Sequence, residues 1–359
     1  MRSCSWFTPP LSTRIGPGAS CTVHGVRDGH APAVADPIED WFGTHTSAID
    51  DWTIDRVAAL KGARRVSVVL PALDEEATVG DIVTTIRAEL VTGRHALVDE
   101  VIVVDSGSAD STAAVAAGRG ARVVTLSEVL PDLPPRRGKG EAMWRGLAVT
   151  DADLVVFVDA DLQEFDSRFV VALLGPLLSD PAIQFVKAAY DRPPTDPAVP
   201  SNGGGRVTEL MARPLISAFW PALNGVLQPL AGEYAATTAL LRSLPFRCGF
   251  GVDLGLLIDA YRTVGLGGIA QVDLHRRWHR HSDLPSLGRM ASEVMHTALD
   301  RLADDGRLPA GLDRETLLWQ PDRVEGGVRR SGHRIDTAER PPLRDLLATA
   351  QPTVHSATK

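Results

Sequence analysis

Three short apolar runs stand out along the chain: VSVVLP (Val66 to Pro71), VIVVDS (Val101 to Ser106) and LVVFVDAD (Leu154 to Asp161). Each is rich in Val and does not alternate with polar positions, the pattern of a strand buried on both faces, so central parallel strands are expected. Between the first two, EEATVGDIVTTIRAEL sets Val79, Ile82, Val83 and Ile86 at helical spacing, with Glu75 opening the helix. After the second, STAAVAAGRG predicts an alanine-rich helix ended by glycine. Strand, helix, strand, helix in this order implies a right-handed, doubly wound, mainly parallel α/β sheet. Further on, RFVVALLGPLL predicts a helix against the sheet, FVKAAY another strand, and SNGGGRVTELMARPL a glycine-rich loop leading into a helix. SLGRMASEVMHTALDRL has the spacing of an amphipathic helix for core or dimer contact. The expected divisions are a disordered lead over 1–45, richest in Gly, Pro and Ser up to about Asp36, then an α/β region over 46–200, a more helical region over 201–325, and a polar, fraying tail over 326–359.

Composition narrows the partners. The 359 residues carry a formal charge of -8, against general polyanion binding and hence against a nucleic-acid partner, so an anionic ligand must meet local basic clusters. Cys4, Cys21 and Cys248 are odd in number and widely spaced, forming neither a CxxC pair nor a disulfide framework, which favours a reducing cytoplasm. No segment approaches the roughly 18 consecutive apolar residues of a membrane span. Arg2 and Arg14 have no apolar stretch behind them, so the N-terminus reads poorly as a signal peptide.

Asp-Ala-Asp occurs twice, at Asp151 to Asp153 and at Asp159 to Asp161. In doubly wound sheets ligands bind beyond the carboxyl ends of the strands. The first pair precedes its strand and reads as a solvated turn. The second leaves the strand's carboxyl end and is the candidate for Mg²⁺ or Mn²⁺, against a plain capping or loop role. At the same edge, Glu75 is suited to a nucleobase or ribose, or with Asp74 to helix capping. Asp105 and Ser106 end the second strand, Gly107 permits a tight turn, and Ser108 or Asp110 can cap the next helix. Lys139 lies between Gly138 and Gly140 before a helix, either near a phosphate or simply solvated, and the pattern is not a Walker loop. The triple glycine followed by Arg206 and a helix start at Thr208 reads as an anion site or as a flexible loop. HRRWHRHS offers His275, Arg276, Arg277, His279, Arg280 and His281, without the cysteine or acidic ligands of a structural zinc site; it is a basic patch for a phosphorylated ligand or a solvated helix end.

In their order and spacing these segments, together with AGEYA and GFGVDLGLLIDAY, resemble the glucosyl-3-phosphoglycerate synthases, retaining glycosyltransferases of the type A fold, over about Trp52 to Leu287. The resemblance implies a Rossmann-like nucleotide-sugar-binding region, a smaller acceptor-binding helical region, and transfer of glucose from UDP-glucose or GDP-glucose to 3-phospho-D-glycerate with Mg²⁺ or Mn²⁺. It implies that Pro71, Glu75, Ser106, Lys139, Asp159 and Ala160 hold the donor nucleotide sugar, and that Asp159, Asp161 and His279 bind the metal. Gly205, Arg206, Val207, Thr208 and His281 would meet the acceptor, with Lys139, Asp253 and Arg277 closest to the chemistry. A homodimer is expected on the same ground. Two departures touch specificity: Asp253 stands where the family carries a glutamate, and His281 where it carries an asparagine. Rival readings are a mannosyl-3-phosphoglycerate synthase or other type A sugar transferase, a nucleotidyltransferase forming sugar nucleotides, and a non-catalytic sugar-nucleotide sensor.

Overall fold

The computed structural model describes residues 36–191, 205–276, 283–309 and 313–349. Its strands are β1 (Thr46–Ala48), β2 (Val66–Ala72), β3 (Glu100–Asp105), β4 (Arg122–Thr125), β5 (Leu154–Phe157), β6 (Phe185–Asp191), β7 (Tyr234–Thr237), β8 (Phe246–Arg247), β9 (Ile269–Arg276), β10 (Leu317–Val324), β11 (Gly327–Arg334) and β12 (Glu339–Arg340). The helices are α1 (Pro37–His45), α2 (Ile54–Lys61), α3 (Val79–Ile86), α4 (Thr112–Gly118), α5 (Lys139–Val149), α6 (Arg168–Ser179), α7 (Arg213–Phe219), α8 (Thr238–Ser243), α9 (Val252–Val264), α10 (Leu284–Asp304) and α11 (Leu343–Thr349).

Eight strands form one sheet in the order β1-β9-β6-β7-β5-β2-β3-β4. Alternate residues of the three Val-rich runs go to two separate cores. Val66, Val68, Leu70, Val101, Val103, Leu154 and Val156 face one, and Val69, Ile102, Val104, Val155 and Phe157 face the other. Both faces are apolar because both are covered by helices, and each buried side chain contributes about 1.5–3 kcal/mol. The pairs β2–β3, β2–β5 and β3–β4 are parallel. β7 lies between β5 and β6 and opposes both. β6 and β9 are parallel to each other. Thus β5, β6 and β9 share one direction, and their carboxyl ends share one edge with β2 and β3.

Four expectations are corrected. The fold begins inside the expected lead: α1 buries Trp41, whose Nε1 donates to the Leu266 carbonyl at 2.9 Å and the Ile269 carbonyl at 3.0 Å. Helix α3 starts at Val79 and not at Glu75. Residues 73–78 instead clasp the loop after β3: Asp74 takes the left-handed φ of 56° and accepts from the Ala109 N–H at 2.7 Å, while the Glu75 N–H donates to Thr112 Oγ1 at 2.7 Å. The region expected to be more helical over 201–325 holds α7 to α10 but also supplies β7 and β9 to the central sheet. The polar tail is structured over residues 326–349. β10 and β11 pair as an antiparallel ribbon whose residues face water on most positions, so no apolar alternation marks it. β12 then pairs with β8.

Arg340 on β12 ties this C-terminal stretch to α5. Its Nε donates to Glu141 Oε2 at 2.7 Å, and Trp144 Nε1 donates to the Pro341 carbonyl at 3.1 Å. Glu141 also accepts from Arg145 Nε at 2.6 Å, and Arg145 in turn donates to the carbonyls of Leu126, Val129 and Leu133. The helix that presents Lys139 is thereby fixed along its length.

Candidate active site

Lys139 opens α5, and the glycines beside it serve close packing. Gly138 has a φ of 118°, and a Cβ there would come within 2.5 Å of the Cys248 carbonyl oxygen; one on Gly140 would come within 1.7 Å of the Arg247 carbonyl oxygen. The first turn of α5 therefore presses against the segment just before α9. Both glycines are explained by this contact, whereas the sequence pattern suggested phosphate approach. The consequence is geometric: Lys139 at the start of α5 and Asp253 at the start of α9 meet.

Lys139 Nζ lies 2.8 Å from Asp159 Oδ1 and 3.3 Å from Asp253 Oδ2. Asp159 stands two residues beyond the end of β5, at the ligand edge that the sequence predicts. Burial works against the Lys139 charge, but Asp159 and Asp253 outweigh it and hold the ammonium protonated. Burial also raises the Asp253 carboxyl, opposed by Lys139 and Lys187. The backbone around the aspartates is clamped, with Thr78 Oγ1 donating to the Ala160 carbonyl at 2.6 Å. By contrast Asp153 caps a strand on the opposite edge, accepting from the Arg65 N–H at 2.8 Å, while Asp151 is exposed.

The donor-side loops follow the prediction in part. Pro71 lies in β2 near its carboxyl end, and the Ser106 N–H donates to the Ala72 carbonyl at 2.9 Å. Asp105 turns back to accept from the N–H groups of Gly107 and Ser108. Asp110 caps the start of α4, accepting from the Thr112 N–H at 2.9 Å. Thus Asp74, Asp105 and Asp110 build the loop, and Pro71, Glu75 and Ser106 are placed along one edge by it.

On the acceptor side, Gly205, Arg206, Val207 and Thr208 enter a continuous helical stretch that includes a π-helical turn over Thr208–Ala212 and then α7. Arg206 is exposed and Thr208 buried. The helix begins at Arg206, two residues before the expected Thr208. Gly203, Gly204, Arg277, His279, Arg280 and His281 lie outside the described residues. The topology nevertheless fixes where their segments attach. Asp191 ends β6 and pairs with Arg276, the last residue of β9, so the chain leaves both strands at the edge that carries Asp159. His275 turns away, its Nε2 lying 3.1 Å from Asp50 Oδ2.

Four residues of the site receive no role from the sequence: Lys187, and Gly232, Glu233 and Tyr234 of the AGEYA segment. Lys187 is fully buried on β6, its Nζ donating to the Ala231 carbonyl at 2.7 Å and standing 4.5 Å from the centre of the Tyr234 ring. Burial pushes its ammonium down to about 8, with the Asp253 carboxylate opposing. A lone lysine in the apolar run FVKAAY was the available signal. Gly232 packs directly on the metal candidate, because a Cβ there would fall 2.0 Å from Asp159 Oδ2. Glu233 is buried, and its charge together with those of Asp159 and Asp253 reaches both lysines. Tyr234 packs between Phe157 and Phe185, and burial first, then the carboxylates, raises its phenol well above the usual range.

Two carboxylates, Asp159 and Asp161, provide hard oxygen donors of the kind Mg²⁺ and Mn²⁺ prefer. Among the described residues no cluster of three His, Cys, Asp or Glu side chains completes a metal site. The strand that precedes the expected ligand His279, β9, ends at this edge.

Known proteins share this fold and sequence. The glycosyl transferase family 2 pattern matches residues 67–203, the stretch that holds β2 to β6. The glucosyl-3-phosphoglycerate synthase of Mycolicibacterium smegmatis is 50% identical over 307 residues, covering 85% of this chain and 98% of that protein. The chain belongs to the glucosyl-3-phosphoglycerate synthase family. Among solved structures, that of the Mycobacterium tuberculosis glucosyl-3-phosphoglycerate synthase in complex with Mn²⁺, UDP-glucose and phosphoglyceric acid superposes with a TM-score of 0.71 at 45% identity, covering 82% of this chain and 95% of that one. The mannosyl-3-phosphoglycerate synthase of Rubrobacter xylanophilus superposes with a TM-score of 0.79 at 39% identity, over 86% of this chain and 99% of that one. This chain is accordingly a glycosyltransferase with a type A fold. No helix among the described residues is long and apolar enough to cross a membrane.

Proposed function

We propose that this synthase transfers glucose from UDP-glucose to the 2-hydroxyl of 3-phosphoglycerate with retention of configuration. The observation that carries the reading is the meeting of Lys139, Asp159 and Asp253 at the carboxyl edge of the sheet, in a chain 50% identical over 307 residues to a named glucosyl-3-phosphoglycerate synthase. Pro71, Glu75, Ser106 and Ala160 line the nucleotide edge. Asp159 and Asp161, with His279, are the residues to hold Mg²⁺ or Mn²⁺, which when bound neutralises charge on the donor diphosphate. Lys139 turns its ammonium from the two aspartates toward the departing diphosphate, and supplies a preorganised charge that develops its full effect as the bond breaks. Asp253, buried beside it, orients the sugar. Gly205, Arg206, Val207, Thr208 and His281 hold the acceptor, and Arg277 the diphosphate.

The step balances without a protein nucleophile. The bond from the anomeric carbon to the diphosphate oxygen breaks, the acceptor 2-hydroxyl oxygen bonds to that carbon from the same face, and its proton passes to a diphosphate oxygen. Asp253 is engaged by Lys139 at 3.3 Å and is assigned to orienting the sugar, which supports this front-face course over a covalent glycosyl-enzyme. We extend the reading to a homodimer working in the cytoplasm, supported by the free thiol of Cys248 and the amphipathic α10.

Measured against a panel of UDP-glucose, GDP-glucose and GDP-mannose, nucleoside diphosphate release is expected to be fastest with UDP-glucose, to require 3-phosphoglycerate, and to stop on chelation. Faster release from GDP-mannose favours the mannosyl activity of the Rubrobacter relative. Release indifferent to 3-phosphoglycerate removes the acceptor assignment.

A further inference from the structure

The backbone of residues 231–233 is held between two charged side chains of opposite sign. Gly232 lies so close to the Asp159 carboxylate that a Cβ would sit 2.0 Å from Oδ2 and 2.6 Å from Oδ1. One residue earlier, the Ala231 carbonyl accepts from Lys187 Nζ at 2.7 Å. Lys187 reaches this point from β6, where it pairs in register with Tyr234, and no solvent touches it. Among the described residues it makes no ion pair with a carboxylate; its contacts are that carbonyl and the Tyr234 ring. The carboxylates of Asp253, Glu233 and Asp159 act on it only from beyond contact distance, and a methionine would fill the same space without the cost of burying an ammonium that no carboxylate touches. Fold stability therefore does not account for a lysine here.

We propose that Lys187 is a positioning residue for Asp159: by holding the Ala231 carbonyl it seats the Gly232 backbone against the carboxylate and fixes the orientation in which Asp159 meets the metal-bound donor. The proposal rests on the assignment of Asp159 to the metal. Lys187 itself touches neither substrate nor metal. It acts through three backbone residues, and the size limit at Gly232 is the second half of the same device.

The test is Mn²⁺ binding to the full chain in the presence of UDP, followed by calorimetry or by the electron-spin signal of free Mn²⁺. Lys187→Met is expected to weaken Mn²⁺ binding about tenfold or more, to keep its thermal midpoint within a few degrees, and to leave KM for 3-phosphoglycerate unchanged while kcat falls. Lys187→Gln retains an N–H donor for the Ala231 carbonyl and recovers at least half of the loss on a logarithmic scale. Gly232→Ala, which pushes on Asp159 directly, shows the same defect, and the Lys187→Met/Gly232→Ala double variant binds no more weakly than the poorer single one. Lys187→Met binding within about twofold of the parent overturns the proposal, as does Lys187→Gln behaving like Lys187→Met. If Lys187→Met fails to fold, Lys187→Gln and Gly232→Ala decide, and parental Mn²⁺ binding in both rejects it. Asp159→Asn serves as the separate check, because undiminished binding there removes the metal assignment itself.

Discussion

Lys139 and Glu141 stand two residues apart on the first turn of α5, yet they belong to buried charge clusters built on different terms. Around Glu141, opposite charges meet at contact. Arg145 and Arg340 both donate to it, at 2.6 Å and 2.7 Å. Nearby Arg301 pairs with Asp259 and Glu339, each at 2.6 Å, and Arg247 and Arg314 share Asp300. Burial disfavours the Glu141 charge, but the two arginines reverse this and its carboxyl ends below the ordinary range. Around Lys139 the charges compete. One ammonium serves two aspartates, a second ammonium on Lys187 is met by a carbonyl and a ring, and burial raises Asp253. A cluster already neutralised by its own side chains fastens the C-terminal strands to the sheet; a cluster held short of that balance is ready for a ligand that carries charge.

Substitutions on either side of this divide should separate stability from activity. Glu141→Ala strands two buried arginines and is expected to cost about 3–5 kcal/mol of stability, read as a lowered denaturant midpoint, while Mn²⁺ affinity of the folded protein stays at the parental value. A variant that loses Mn²⁺ affinity at parental stability would erase the distinction. Lys139→Ala should do the reverse, lowering kcat about 10²- to 10³-fold with KM for 3-phosphoglycerate little changed; turnover at the parental rate would remove Lys139 from the chemistry.

A smaller effect sharpens the boundary between the clusters. Glu293 on α10 accepts from the Phe250 N–H at 2.6 Å, in the turn that leads to Asp253, and burial pushes its carboxyl up to about 7, with the Asp336 charge adding to it. In the unfolded chain this group ionises near its ordinary value of 4.5. Between these values the folded state binds more protons, so stability is favoured at pH 5 and falls as pH rises through 7. Glu293→Gln should remove that fall, changing the difference in unfolding free energy between parent and variant by about 1–2 kcal/mol from pH 5 to pH 8 once partial exposure is allowed for. An unchanged pH profile would show that Glu293 ionises freely in the fold.

The same contrast explains what was legible in the sequence. Strands β2, β3 and β5 announce themselves because both faces are apolar, and their carboxyl ends then separate Asp159 and Asp161 from the decoy pair Asp151 and Asp153. β7 is only YAAT, too short and too small in its side chains to stand out, and its antiparallel insertion between β5 and β6 is set by neighbours. Lys139 was visible, but Gly138 and Gly140 answer to the backbone of Arg247 and Cys248, a contact between residues more than a hundred positions apart. Gly232 likewise shows its purpose only when Asp159 is placed beside it. The C-terminal strands were hidden by their polarity, since Arg340 looks like a surface residue until Glu141 is found beneath it.

On this reading one edge of the sheet gathers Asp159, Asp161 and the segments leaving β6 and β9 around a single metal-bound sugar nucleotide. Anomalous scattering from crystals grown with Mn²⁺ and UDP tests it directly. One Mn²⁺ peak is expected, bonded to Asp159 or Asp161 and to His279, with the UDP diphosphate beside Lys139. A Mn²⁺–UDP complex bound away from the carboxyl end of β5 would contradict it.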